Sequence, residues 1–227
     1  MEFVVRRATN LRRRAPGQKK RVEDPFANPE PDLFVTDLSP THFALLNKYN
    51  VLDHALLVVT RADVDQDEPL DLADFEALEA CMRDAPVIGF YNGGAESGAS
   101  QRHKHLQVVP LPLSPRAGIP MERGLDRLPF LQGLMRFPSL PSPGELLDRY
   151  HALRRETASE NRPYNLLVTQ EWMLLVPRSR ATSEGIPVNS LAFAGALFVR
   201  SEEELARVEE LGPMSVLRSV SFPKDHP

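Results

Sequence analysis

The segment Ser97-Gly98-Ala99-Ser100-Gln101-Arg102-His103-Lys104-His105-Leu106-Gln107 constrains this chain more than any other stretch of it. A loop of small residues runs into alternating polar and apolar side chains, and Val108-Val109 continues the run in β-prone residues. That pattern reads as a strand entered from a tight loop. Side chains on a strand alternate between faces, so His103, His105 and Gln107 share one face and Lys104, Leu106 and Val108 the other. Groups that donate and accept hydrogen bonds then stand beside the backbone N–H groups of the loop. Such an arrangement suits attack on a phosphate.

The flanking pattern places this strand in a sheet. Strands are expected at 32–35, 43–46 and 55–60, in a meander. Asp71 is an N-cap with Asp74 at the third helical position, predicting a helix over 72–83 whose apolar stripe is Leu72, Phe75, Leu78 and Met82. Pro86 ends it, and 87–91 reads as the strand before the loop. After a Pro-rich stretch a helix is expected over 146–155, then a hairpin of 164–169 and 172–176. Ser201 with Glu204 suggests a capping box for a helix through Glu210. Strands, helix, strand, loop, strand is the order of an α+β domain with a meandering, mostly antiparallel sheet and flanking helices.

Composition narrows the function classes. With 227 residues and a net charge of −4, the chain suits one domain and gives no reason to expect nucleic-acid binding. The basic residues of the first 22 positions are the exception: Arg6, Arg7, Arg12, Arg13, Arg14, Lys19, Lys20 and Arg21 stand against the single acid Glu2. They read as an arm that closes over a polyphosphate, as a solvated tail, or as a nucleic-acid or transit segment. The expected division is a basic arm and Pro-rich connector over 1–31 and one catalytic domain over 32–227, its last segment starting near 160. The single cysteine, Cys81, excludes an internal disulfide framework and suits a reducing, cytoplasmic compartment. No apolar run is long enough to span a membrane.

A histidine that attacks phosphorus needs one unprotonated ring nitrogen aimed at the substrate and a proton on the other, held by an acceptor. A nucleophile within a strand can use a neighbouring backbone carbonyl for this. The amides of Gly98, Ala99, Ser100 and Gln101, the Ser100 hydroxyl and the Gln107 amide are donors suited to non-bridging oxygens. Gln107 cannot act as a general acid, so a polyphosphate leaving group, which departs as a stable anion, is favoured over an amine. A metal-binding reading of the two histidines needs further ligands, and downstream only His151 and His226 stand, in poor contexts.

The motif GASQ-x-HKHLQ, preceded by Phe90-Tyr91-Asn92-Gly93-Gly94, resembles the diadenosine tetraphosphate phosphorylases (ATP adenylyltransferases). These form the branch of the histidine-triad superfamily with Gln at the third position. Leu45-Leu46-Asn47-Lys48-Tyr49-Asn50, Tyr164-Asn165-Leu166-Leu167-Val168-Thr169 and Val176-Pro177-Arg178-Ser179 resemble further family segments in the same order.

The resemblance implies a histidine-triad-like fold and phosphorolysis of diadenosine tetraphosphate by inorganic phosphate to ATP and ADP. His105 would form an adenylyl intermediate, His103 would orient it, and Gln107 would bind a non-bridging oxygen. Asn47, Lys48, Asn92, Gly98, Ala99, Ser100, Gln101, Asn189, Ser190, Leu191, Ala196, Arg200 and Arg14 would contact substrate. No covalent cofactor, resident metal, nucleic acid or membrane is implied. A divalent ion such as Mg2+ would arrive on substrate phosphates. A nucleoside diphosphate sugar as donor, or a nucleotide-binding protein without catalysis, are the alternatives. Two departures stand out: the family's helical region ahead of the segment that Phe3-Val4-Val5-Arg6 resembles is not seen, and Arg14 stands where lysine is usual.

Overall fold

A computed structural model of the chain describes residues 1–8, 24–48 and 51–224; Arg14 and most of the basic arm lie outside them. Its strands are β1 (Val4–Arg7), β2 (Phe34–Asp37), β3 (His42–Leu46), β4 (Leu56–Thr60), β5 (Val87–Gly93) and β6 (His105–Pro110). They continue as β7 (Gly133–Arg136), β8 (Tyr164–Val168), β9 (Trp172–Pro177), β10 (Thr182–Ser183), β11 (Ile186–Pro187) and β12 (Ala196–Val199). The helices are α1 (Leu72–Met82), α2 (Pro143–Glu156), α3 (Ser190–Phe193), α4 (Glu202–Leu211) and α5 (Pro213–Ser219).

Eight strands form one sheet in the order β2-β3-β4-β6-β5-β8-β9-β7, and every pairing in it is antiparallel. This is the α+β architecture expected. The meander holds from β2 to β4. The chain then crosses in α1 and enters β5 one place further over, so that β6 returns between β4 and β5. The motif strand thus lies in mid-sheet. Of the N-terminal residues read as an arm, Val4–Arg7 add a strand instead, pairing in parallel with β12.

Period-2 alternation divides the core. On the front face Ile88, Phe90, Val109, Leu167, Trp172, Leu174 and Val176 pack against Phe193, Leu197, Val208 and Leu217 of the C-terminal segment. On the back face Leu106, Val108, Leu166 and Leu175 pack against Phe75 and Leu78 of α1 and Leu146 and Leu153 of α2. Asp71 and Asp74 form the reciprocal cap of α1, Asp71 Oδ1 accepting from Asp74 N at 3.1 Å and Asp74 Oδ2 from Asp71 N at 2.8 Å. Leu72 is not part of the α1 stripe; it is 45% exposed, whereas Asp74, two residues on in the same turn, is buried against the sheet. At α4, Ser201 caps Glu204 N as expected, but the Glu204 carboxylate accepts from Arg200 N, so the box is not reciprocal.

The back face also holds buried charge. Lys104 projects away from its histidine neighbours and donates to Asp74 Oδ2 at 2.7 Å and to the Pro69 carbonyl at 2.8 Å. His42 Nε2 lies 3.0 Å from Asp74 Oδ1. Burial pushes the Asp74 carboxyl up, and the bonds and charge of His42 and Lys104 outweigh this to leave it below the ordinary value. Strand β3, strand β6 and the α1 N-terminus are thereby joined at one carboxylate. Removing a single member of a buried ion pair strands the other charge. Asp74→Ala is expected to lower unfolding free energy by about 3–5 kcal/mol, measured by urea denaturation.

Candidate active site

His105 opens β6, and Cα register sets it opposite Val59 of β4. On its other edge the β5–β6 ladder stops at Phe90↔Gln107. Continued in register, the next pair but one would be Asn92 and His105. A side chain takes that place: Gln66 Oε1 accepts from His105 N at 2.8 Å, and Gln66 Nε2 donates to the carbonyls of His105 at 3.1 Å and Asn92 at 3.0 Å. The buried carboxamide satisfies the backbone where the two strands part, as buried polar groups require.

The His105 ring is set by its own strand. Nδ1 lies 2.9 Å from the His103 carbonyl, which only accepts, so Nδ1 carries the proton and Nε2 holds the lone pair. Nε2 has no hydrogen bond among the described residues. Burial pushes the His105 pKa down to about 4, the bond to the His103 carbonyl opposing it in part. The ring is therefore neutral at physiological pH, with one nitrogen available.

His103 is held at both ends. Nδ1 lies 2.6 Å from Asp24 Oδ2 and Nε2 2.7 Å from the Thr60 carbonyl. The ring thereby ties the Asp24 carboxylate of the connector to the end of β4. Burial raises the Asp24 carboxyl, but the bonds from His103 and from Phe26 N hold it below the usual carboxylate range. Phe26 packs on both rings, its centroid 5.6 Å from His103 and 5.2 Å from His105, and joins Phe43, Leu45, Leu57 and Val59 in a small apolar cluster. The Pro-rich connector is thus seated on the histidine face. His103 acts on its neighbour through its backbone carbonyl, while its ring anchors the connector.

Two glycines turn the loop, Gly94 at φ 98° and Gly98 at φ 92°. A Cβ on Gly98 would stand 2.6 Å from the Val188 carbonyl, so only glycine allows this approach. The amides of Gly98 and Ala99 bond to the carbonyls of Ala95 and Gly94. This corrects the expectation of four open loop amides: the 3-10 turn over Ala95–Ser97 takes that of Gly98, and the closure after the left-handed Gly98 takes that of Ala99, leaving those of Ser100 and Gln101.

Behind the loop lies a buried polar web. Asn92 Oδ1 accepts from Asn165 Nδ2 at 2.9 Å, from Ser190 N at 2.9 Å and from Ser190 Oγ at 2.8 Å. Arg178, 1% exposed, donates to Asn165 Oδ1, to the Ser97 carbonyl at 3.2 Å and to the Val188 carbonyl at 3.1 Å.

The structure therefore brings His103, His105 and Gln107 to one sheet face, and gathers Asn92, Gly98, Asn189 and Ser190 at the adjoining web. Other expected contacts have different partners. Leu191 and Ala196 are buried in the front core. Arg200 pairs with Glu204 at 2.6 Å and donates to the Gly185 carbonyl. Lys48 pairs with Glu30 at 2.5 Å. Asn47 lines an open cavity of about 380 Å³ with Leu33, Leu46, Asp53, His54 and Ala55. Arg102, to which the sequence assigned no role, clamps Asp63 and Asp65, each at 2.6 Å.

Sequence reading missed Asp24, Phe26, Gln66, Asn165 and Arg178. The last two stand in segments that carried the family resemblance; the first three had no motif to mark them. Ligand atoms of Asp24, Asp63 and His103 lie within 4.8 Å of one another, as in a metal site. They are already committed, however, Asp24 to His103 and Asp63 to Arg102, so the set does not fit a resident ion. Among the described residues no helix is long and apolar enough to cross a membrane.

The family model of the Ap4A phosphorylase N-terminal domain matches residues 1–127, and that of the ATP adenylyltransferase C-terminal domain matches residues 126–223. A curated relative, diadenosine 5',5'''-P1,P4-tetraphosphate phosphorylase 2 of Saccharomyces cerevisiae, is 29% identical over 240 residues, covering 84% of this chain and 73% of the relative. The crystal structure of yeast Ap4A phosphorylase Apa2 with AMP is similar, with a TM-score of 0.78 and 29% identity over 88% of this chain and 80% of that one. Its complex with Ap4A gives a TM-score of 0.77 and 27% identity over 89% and 81%. The two family models together span nearly the whole chain, which belongs to the Ap4A phosphorylase (ATP adenylyltransferase) family of nucleotidyltransferases.

Proposed function

We propose that this enzyme cleaves diadenosine tetraphosphate with inorganic phosphate, yielding ATP and ADP, through an adenylyl group carried on His105. The observation that carries the reading is the His105 ring itself: neutral, proton fixed on Nδ1 by the His103 carbonyl, Nε2 unbonded. In the first step Nε2 bonds to the α-phosphorus as the bond to the bridging oxygen breaks, and ATP leaves with that electron pair. The His103 carbonyl then faces the N–H of a cationic adenylyl-imidazole, which it stabilises. In the second step a phosphate oxygen bonds to the same phosphorus, the P–N bond breaks and ADP departs. Neither step needs a general acid, in keeping with a glutamine at position 107. We assign the non-bridging oxygens to Gln107 and to the amides of Ser100 and Gln101, and the nucleoside to the cavity that Asn47 lines.

Family membership supports this substrate, as does the Ap4A complex of a relative that is similar over most of its length. A divalent ion such as Mg2+ belongs, in this reading, to the substrate's phosphates. We also propose one catalytic domain over 32–227, to which β1 and the connector residues Asp24 and Phe26 are joined through β12 and the histidines. A cytoplasmic location is proposed with it, which suits the free thiol of Cys81.

Incubation with diadenosine tetraphosphate and phosphate, followed by chromatography, is expected to give equal ATP and ADP; AMP with ATP would mean hydrolysis and refute phosphorolysis. His105→Ala is expected to lower kcat by at least about 10⁴-fold, and labelled adenylate should be trapped on the wild type only. His103→Ala keeps the backbone carbonyl and is expected to slow turnover by a smaller factor, of order 10²-fold.

A titration separates the buried neutral ring from an ordinary one. His105 is expected to protonate near pH 4 by NMR. Between the unfolded value of about 6.5 and that point the unfolded chain binds the proton and the folded chain does not. Stability contributed by neutral His105 is therefore present above pH 6.5 and falls as pH drops towards 4, by roughly 1.4 kcal/mol per unit. A His105→Phe variant should lack that slope in pH-dependent denaturation.

A further inference from the structure

Arg178 is among the largest fully buried side chains, and among the described residues no carboxylate is paired with it. Its guanidinium donates to the carbonyls of Val220 at 3.2 Å, Arg180 at 2.7 Å, Ser97 at 3.2 Å and Val188 at 3.1 Å, and to the Asn165 side-chain oxygen. The Phe193 ring lies 5.5 Å from its Cζ. Every one of these partners is neutral. The other cations around the motif are treated differently: Lys104 is paired with Asp74, Arg102 with Asp63 and Asp65, Arg200 with Glu204 and Lys48 with Glu30. A buried charge is costly without a counter-charge. Hydrogen bonds to neutral carbonyls offset part of that cost and leave the net charge in place.

The position of this charge is informative. Ser97 and Val188, whose carbonyls Arg178 holds, immediately precede Gly98 and Asn189. Gly98 lies so near the Val188 carbonyl that a Cβ would not fit. One guanidinium thus fastens the loop before the histidines to the segment that enters α3, and through Asn165 and Asn92 it reaches the β5 edge of the cleft. We propose that Arg178 is a positioning residue that assembles this loop pair and supplies, from behind it, the positive potential that a polyphosphate chain completes. Its missing counter-ion is the substrate. In the low-dielectric interior such a field is poorly screened and acts beyond direct contact. The inference rests on reading the cleft as a polyphosphate site and adds the residue that charges it.

The test compares adenosine, AMP and ADP binding to the full chain by calorimetry, in wild type, Arg178→Gln and Arg178→Lys. With Arg178→Gln, ADP affinity is expected to fall about tenfold or more, AMP affinity less, and adenosine affinity to stay within about threefold. Arg178→Lys keeps the charge and is expected to hold the ADP-to-adenosine preference within about threefold of wild type. An equal loss for all three ligands, or none, would mean a structural cross-link only and overturn the proposal. Should Arg178→Gln not fold, Arg178→Lys decides: a preference retained supports the charge, and a preference lost about tenfold with adenosine binding intact overturns it. Failure of the polyphosphate reading itself would appear in the wild type, as ADP bound no better than adenosine. Failure of the Arg178 assignment would appear only in the variants.

Discussion

The organisation of this molecule turns on one side-chain amide inside a β-ladder. Antiparallel strands normally close on each other residue by residue, which leaves no room for a reactant between them. Here Gln66 takes up the backbone groups of His105 and the carbonyl of Asn92 where β5 and β6 would have met. The strands separate at the sheet centre without leaving buried polar groups unpaired. The parted end of one strand carries the His105 ring, and that of the other leads through the engaged Asn92 to the glycine-turned loop.

The two faces of the motif strand carry two kinds of charge. Behind it, Lys104 and Asp74 neutralise each other in a dry setting and lock the strand to α1. In front, Asp24 meets His103, and the adjacent His105 is kept neutral by burial. Successive residues of one segment are thus held by different partners on its two faces. Alternation makes this possible, since successive side chains of a strand meet different neighbours.

That alternation was legible because it needs only adjacent residues. The facing of His103, His105 and Gln107, the Asp71 cap, the α4 N-terminus and the β8–β9 hairpin are all local statements, and each is found. Leu72 misled because a residue in the first helical turn can match the spacing of the apolar stripe and still face solvent, as it does here while Asp74 of the same turn faces the sheet. The loop amides misled because spacing does not reveal a 3-10 turn and the closure after it, which take up two of those N–H groups. Gln66, Asn165 and Arg178 were invisible for a different reason. Each acts across a gap of many residues, and its partner is set by strand order, which β6 settles by inserting between β4 and β5. The connector residues Asp24 and Phe26 belong with these: a Pro-rich composition describes an extended chain and says nothing of the surface it lies on.

The seam between β5 and β8 carries a further implication. The two family models meet at residues 126–127, yet β5 on one side and β8 on the other are hydrogen-bonded over five register pairs in the middle of a single sheet. The sequence boundary is therefore not a fold boundary. Cutting the chain there would bare the edges of two central, largely apolar strands, and such edges seek new strands to pair with. The two halves are interdependent by exposure: each is the cover that keeps the other from assembling with itself.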